Sequence, residues 1–162
     1  MTATTYTVEQ VAPEATRPLR QALLRPNNTL AELAQSDGND PTAGYYAAIG
    51  HRGRILAVAS ARPEQPPWPH EARRPWRIRG VATVDDARKR GIGTAIIQAV
   101  LRHIRLHGGD LAWLNGRTPA RRFYQHLGFT QHGNEWDDPE SGPHMTMIRP
   151  LQGAADRNEP RV

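Results

Sequence analysis

The sequence predicts a single α/β domain whose sheet holds at least one parallel crossover and an antiparallel end. Three observations carry this. The second half of the chain runs strand, helix, strand, helix, strand, strand. Its clearest helix, Gly93 to Leu106, sets Ile96, Ile97, Val100, Leu101 and Ile104 at helical spacing. The length of 162 residues, 38% hydrophobic, suits one core burying roughly two-thirds of the unfolded surface.

Tyr6 to Val11 alternates polar and apolar residues and predicts a first strand. Pro13 to Leu24 predicts a helix with Ala15, Leu19, Ala22 and Leu23 on one stripe, ended by Pro26 and two asparagines. Thr29 caps a short helix, Leu30 to Gln35, and Glu32 completes a capping box. Ser36 to Gly44 is a loop of Asp, Asn, Gly and Pro. Tyr45 to Ile49 and Arg54 to Ala61 predict two strands around Gly50-His51-Arg52-Gly53. Arg62 to Pro75 carries five prolines and reads as an irregular functional loop.

Trp76 to Val84 predicts a strand, and Gly108-Gly109 stop the helix that follows it. Leu111 to Leu114 is a short apolar strand. Thr118 caps the next helix, with Pro119 at its first position and Gly128 as its stop. Phe129 to Gln131 begins another strand, and a Gly/Asn/Asp/Pro-rich connection leads to the last, His144 to Arg149. The expected domain spans 1–152, with residues 153–162 as a flexible tail.

The chain has no cysteine. That excludes a disulfide scaffold, a thiolate nucleophile and thiolate-bound zinc or iron–sulfur clusters. No run of about 18 uncharged apolar residues is present, so no membrane span and no membrane partner is expected. Met1 to Gln10 lacks the cationic start and apolar stretch of a signal peptide, which points to the cytoplasm. Lys+Arg is 21 against Asp+Glu 16, a net charge of +5, and Lys89 is the sole lysine. Such a surplus suits a polyanion or a phosphorylated cofactor, and an arginine-biased composition explains it equally. Nucleic-acid platforms set aromatics among basic residues. Here the basic cluster sits in a glycine turn with only Trp76 near, so no nucleic-acid partner is expected.

That cluster is Arg88-Lys89-Arg90-Gly91-Ile92-Gly93-Thr94, between a strand and a helix start. Glycines let backbone N–H groups approach phosphate oxygens. The helix start adds unpaired donors and a positive dipole end, and arginines add charge. A plain basic loop turning into a helix is the alternative. A Walker A loop does not fit, because Lys89 precedes the glycines. A Rossmann fingerprint does not fit, because Ile96 stands where its third glycine belongs.

The remaining pattern, Arg88-x-x-Gly91-x-Gly93, resembles the acetyl-CoA pyrophosphate signature of the GNAT-type N-acetyltransferase superfamily. One strand further on, Ala120-x-x-Phe123-Tyr124-x-x-x-Gly128-Phe129 is similar to that superfamily's second element. Asn115-Gly116-Arg117-Thr118 resembles the joining segment of small bacterial members. The resemblance implies the GNAT fold: a mixed, mostly antiparallel sheet with splayed parallel central strands, flanked by about four helices. It also implies transfer of an acetyl group from acetyl-CoA, a co-substrate, directly to the amine of a small molecule or peptide. Homodimers are frequent in such a family.

By that resemblance, the backbone of Ala82, Thr83 and Val84 pairs with the pantetheine arm. Arg88, Lys89, Arg90, Gly91, Ile92, Gly93 and Thr94 hold the pyrophosphate, and Asn115 hydrogen-bonds the arm. An amide of Val81 to Thr83 meets the oxyanion. Tyr124 protonates the leaving thiolate, a task its ordinary pKa near 10 suits. Its alternative is a core aromatic. The strand Trp76 to Val84 holds no acid to serve as base. That leaves water or His144, or else a structural histidine there and a CoA-binding module without catalysis. Arg77 and Arg79 alternate to one face, either binding an acidic group of the acceptor or covering the sheet. Arg79 and Arg117 are the candidate substrate contacts. His103 and His107 stand i, i+4, but basic flanks make a solvated helix face the expectation, and no metal is expected.

Overall fold

The computed structural model describes residues 5–88 and 90–152. Its strands are β1 (Thr7–Gln10), β2 (Gly44–Ile49), β3 (Ile55–Pro63), β4 (Pro75–Thr83), β5 (Leu111–Arg117), β6 (Thr130–Asp138) and β7 (Gly142–Pro150). Its α-helices are α1 (Pro13–Leu23), α2 (Leu30–Asp37), α3 (Ile92–Leu106) and α4 (Arg121–His126). The seven strands form one sheet in the order β1-β2-β3-β4-β5-β7-β6. The pairs β1–β2, β2–β3, β5–β7 and β6–β7 are antiparallel, and β4–β5 is parallel. This is the mixed, mostly antiparallel sheet with a parallel pair that the sequence predicts. The expected tail, residues 153–162, lies outside the described residues, as does Lys89. No described helix is long and apolar enough to cross a membrane.

Several boundaries move. Strands take both ends of the proline-rich segment: Arg62 and Pro63 close β3 and Pro75 opens β4. Proline is tolerated at a strand's first or last position. β5 runs on through Asn115, Gly116 and Arg117, and β6 absorbs most of the expected polar connection, because β7 supplies the backbone partners for both. Thr118 makes no side-chain cap. It opens a 3-10 turn, Thr118–Ala120, ahead of α4.

The chain divides into two compact units, one of Met1–Arg62 with Gly80–His103, the other of Pro63–Arg79 with Ile104–Val162. In the first, Ala47, Val58 and Ala82 form a buried cluster against Val11, Leu19, Leu23 and Ile49. The capping box at Thr29 forms as predicted, with Thr29 Oγ1 accepting from Glu32 N and Glu32 Oε1 accepting from Thr29 N. In the second, Trp113, Leu114, Phe129, Met145 and Met147 are buried.

Leu19 and Leu23 of the expected α1 stripe pack against the Ala47, Val58 and Ala82 cluster, but the most deeply buried positions of the helix are polar. Thr16 and Arg20 are its buried residues, and Ala22 is exposed. The reason is Asp37, at the end of α2. Arg20 Nη2 and Nη1 donate to its Oδ1 and Oδ2 at 2.7 and 3.0 Å, and Arg17 Nε donates to Oδ2 at 3.1 Å. Burial alone would raise the Asp37 carboxyl, but the hydrogen bonds and charge of Arg20, then Arg17, outweigh it and hold the pKa below 3.8.

Asp37→Asn is expected to destabilise the protein by about 3–5 kcal/mol, since it leaves the Arg20 charge buried without its counterion. Urea denaturation measures this. The sign with pH follows from the lowered pKa: the wild-type contribution is full above 3.8 and is lost as pH falls below that value. Asp37→Asn should therefore show a shallower loss of stability through that acid range. A variant as stable as wild type at pH 7 overturns the assignment.

Candidate active site

The glycine turn belongs to the first unit. Behind β4 comes a 3-10 turn, Asp85–Ala87, in which Ala87 N donates to Val84 O at 3.1 Å. The turn is pinned at three points. Ala87 is buried, Ile92 is fully buried, and the Arg54 guanidinium forks onto both oxygens of Asp86 at 2.8 and 2.9 Å. The Arg54 hydrogen bond holds the Asp86 carboxyl below its usual range. Between these points the chain turns at Gly91, with φ +79. A side chain there would be strained by the backbone alone, since a Cβ would meet no atom within 4 Å. The turn is thus open in front of α3. The first ladder bond of α3 is Ala95 N to Gly91 O at 3.0 Å, so the amides of Ile92, Gly93 and Thr94 precede the ladder. By composition and by backbone, such a turn can receive an anion.

Three of the predicted residues have further partners here. The Ile92 side chain belongs to the core, leaving only its backbone for a ligand. The Val84 amide donates to Leu56 O at 2.9 Å, so that donor is not available to a pantetheine arm. Arg88 folds back, with Nε 3.4 Å from both Thr83 O and Asp85 Oδ1. Arg90 is exposed, Gly93 and Thr94 are partly exposed, and Lys89 lies outside the described residues.

His103 corrects the solvated-helix expectation. It is buried, its Nε2–H donates to Thr42 O at 2.8 Å, and its Nδ1 accepts from Tyr46 Oη at 2.9 Å. Gly44 makes the room, since a Cβ there would lie 2.7 Å from the ring.

In the second unit the two faces of β5 divide the remaining candidates. One face carries Leu114 and Gly116. Tyr124, only 5% exposed, packs its ring against Gly116, where a Cβ would come within 3.4 Å, and meets Phe129 edge-on at 5.7 Å. Desolvation pushes the phenol far above its ordinary pKa, so it keeps its proton throughout the physiological range. The other face carries Trp113, Asn115 and Arg117. Asn115 Oδ1 accepts from Thr146 Oγ1 at 2.8 Å, and Arg117 stands opposite His144. His144 Nδ1 lies 2.9 Å from Gly142 O. A carbonyl only accepts, so Nδ1 carries the hydrogen and Nε2 keeps its lone pair in the neutral ring.

Arg77 answers the question its sequence position raises. Its Nη1 donates to Glu64 Oε2 at 2.9 Å, its guanidinium lies 5.0 Å over Trp113, and Trp113 Nε1 donates to Glu64 O. The acidic group that it binds belongs to this chain. Arg79 is half-buried on the same strand. Sequence reasoning missed Arg54, Trp68 and Trp136. Arg54 carries no local signal. Trp68 and Trp136 were visible as isolated indoles in polar or proline-rich stretches, the kind of residue that needs a packing or binding reason.

Comparison with known proteins bears on the family and the fold. Residues 8–129 match the family described as Acetyltransferase (GNAT) family. The uncharacterized N-acetyltransferase YitI of Bacillus subtilis is 25% identical over 145 residues, covering 90% of this chain and 96% of that one. Among solved structures, the ribosomal-protein-S18-alanine N-acetyltransferase of Escherichia coli superposes with a TM-score of 0.71 at 14% identity, covering 98% of this chain and 100% of that one. The phosphinothricin acetyltransferase of Sinorhizobium meliloti, solved with AcCoA, superposes with a TM-score of 0.68 at 19% identity, covering 93% and 91%. With the family match covering most of the sequence, the chain belongs to the acetyltransferase (GNAT) family.

Proposed function

We propose that this protein transfers an acetyl group from acetyl-CoA directly to an amine. The observation that carries the reading is the open glycine turn in front of α3, flanked by arginines and built on positive φ at Gly91. It is a fixed cradle for a pyrophosphate, and a GNAT relative was solved with AcCoA. The amides of Arg90, Gly91, Ile92, Gly93 and Thr94 bind the phosphate oxygens, and the side chains of Arg88 and Arg90 add charge. Lys89 belongs to the same run. Ala82 and Thr83 pair with the pantetheine arm, and the Asn115 amide hydrogen-bonds it.

Acetyl-CoA supplies the acetyl group as an activated thioester. The chain has no cysteine to carry it, so the amine attacks the thioester directly. A backbone amide of Val81 to Thr83 meets the charge that develops on the carbonyl oxygen. Tyr124 gives its proton to the departing sulfur. Burial raises its pKa, which keeps the proton on oxygen at neutral pH and makes the phenol a weaker acid than a solvated one. His144 Nε2, or water, takes the proton that the amine loses.

Two variants test the reading. Gly91→Ala is expected to weaken acetyl-CoA binding roughly tenfold, as about 1–2 kcal/mol of left-handed strain is introduced at the cradle. Calorimetric titration measures it, with the melting temperature recorded alongside, and an unchanged Kd removes the glycine turn from cofactor binding. Tyr124→Phe is expected to lower kcat by about a hundredfold or more while leaving acetyl-CoA affinity nearly unchanged. Equal turnover in that variant removes Tyr124 as the acid. Binding of acetyl-CoA with no CoA release from any amine identifies a CoA-binding module instead of a transferase.

A further inference from the structure

β6 does not run evenly along β7. Thr130, Gln131 and His132 face Ile148, Met147 and Thr146, and the register then jumps so that Trp136 faces His144. In an uninterrupted ladder Asn134 would stand there, because His144 is two residues from Thr146. A bulge opening at Gly133, with φ +73, carries the chain past Asn134 and sets an indole in the row instead. β5 completes the row with Arg117 opposite His144. Directly opposed residues share a sheet face with Cβ atoms about 5 Å apart. Arg117, His144 and Trp136 therefore form one line across three strands.

Each member is available to a ligand. Trp136 is 39% exposed, a large apolar side chain left in water, and its ring centroid lies 5.7 Å from that of His144. Arg117 is exposed and has no ion-pair partner among the described residues. His144 presents Nε2, since Nδ1–H is held by Gly142 O. In the next row Thr146 Oγ1 donates to Asn115 Oδ1, which leaves the Asn115 NH2 group facing outward as a donor. Trp68 stacks on His132 at 4.2 Å and walls that row. Core packing does not account for this row: a core does not leave an indole exposed at a bulge, in line with a guanidinium that has no counterion among the described residues.

The chemistry selects a ligand. A guanidinium fork matches a carboxylate. An exposed indole offers a flat apolar surface to another ring. An imidazole nitrogen accepts a proton near neutral pH. We propose that the row Arg117–His144–Trp136 is the acceptor site, and that the acceptor is a small amine bearing both a carboxylate and a planar apolar group, an aromatic α-amino acid being its simplest form. This rests on the transfer reading above and deepens it by naming the acceptor class. The ammonium first gives one proton to His144 Nε2, which passes it to solvent. The nitrogen–acetyl bond then forms as the carbon–sulfur bond breaks, the second N–H proton goes to His144 Nε2, the sulfur leaves with the Tyr124 proton, and Tyr124 is reprotonated from solvent.

The test is CoA release from acetyl-CoA with L-phenylalanine and L-tryptophan, compared with phenethylamine, tryptamine and L-alanine. The amino acids are expected to exceed their decarboxylated counterparts, and L-alanine, by about fivefold in kcat/KM, the scale of an ion pair or ring contact that stays partly solvated. Arg117→Gln should bring the ratio of amino acid to decarboxylated amine close to one, and Trp136→Ala should do the same for the ratio to L-alanine. Transfer to amines with no preference for the carboxylate, or a preference that survives Arg117→Gln, overturns the acceptor assignment and leaves the transfer reading standing. If no amine releases CoA, calorimetric titration of L-phenylalanine into the CoA-saturated protein decides. Binding that Arg117→Gln abolishes keeps the acceptor site and overturns transfer. Absence of binding overturns the site.

Discussion

A buried guanidinium governs the first unit. Arg20 sits with its side chain 7% exposed against an Asp37 side chain that is 2% exposed. A charge in that position is costly unless paired and fully hydrogen-bonded, so the geometry around it has little freedom. Asp37 joins α1 to α2 through Arg20 and Arg17. Arg62, near the end of β3, donates to the carbonyls of Ser36 and Asp37. On its other side Arg20 lies against Gly80 of β4, where a Cβ would come within 3.0 Å of Nε and where φ is +61. Glycine is required there for two reasons, the backbone and the space. The two N-terminal helices thereby reach β4 immediately before Ala82 and Thr83, the edge assigned to the arm of acetyl-CoA.

The cationic loop works by a related economy of fixed points. Asp85 and Asp86 look out of place ahead of a cationic glycine turn. Arg54 neutralises Asp86 from the neighbouring end of β3, and Arg88 lies against Asp85. These pairs are exposed, so their value is in orientation more than in stability. Burial of Ala87 and Ile92 does the energetic part of holding the turn, and Gly91 is left open between them.

In the second unit strand alternation turns the side chains of β5 to two faces of the sheet. Gly116 leaves room for the Tyr124 ring on one face of β5, while Asn115 and Arg117 face the other. A dry environment keeps the phenol protonated on its face. The opposite face is half-solvated, and a bulge on β6 brings an indole onto it. Period-two alternation along one strand thus gives adjacent residues different surroundings.

Features written into a few consecutive residues were legible in the sequence. The spacing of Ile96, Ile97, Val100, Leu101 and Ile104 gives α3, Thr29 with Glu32 gives the capping box, and the glycine turn and the Phe123-Tyr124 element give the family. Such signals depend on hydrogen bonds and side chains three or four positions apart, which any chain with those residues reproduces. The fate of the arginines was not legible. Arg20 finds Asp37 17 positions away, Arg77 finds Glu64 13 away, and Arg54 finds Asp86 32 away. The sequence establishes that the chain is basic and where three cations cluster. Only the folded path decides that Arg20 and Arg77 are spent on internal acids while Arg117 stands in a row with His144 and Trp136. Ion pairs of this kind follow from which strands and helices become neighbours, and composition alone does not carry that information.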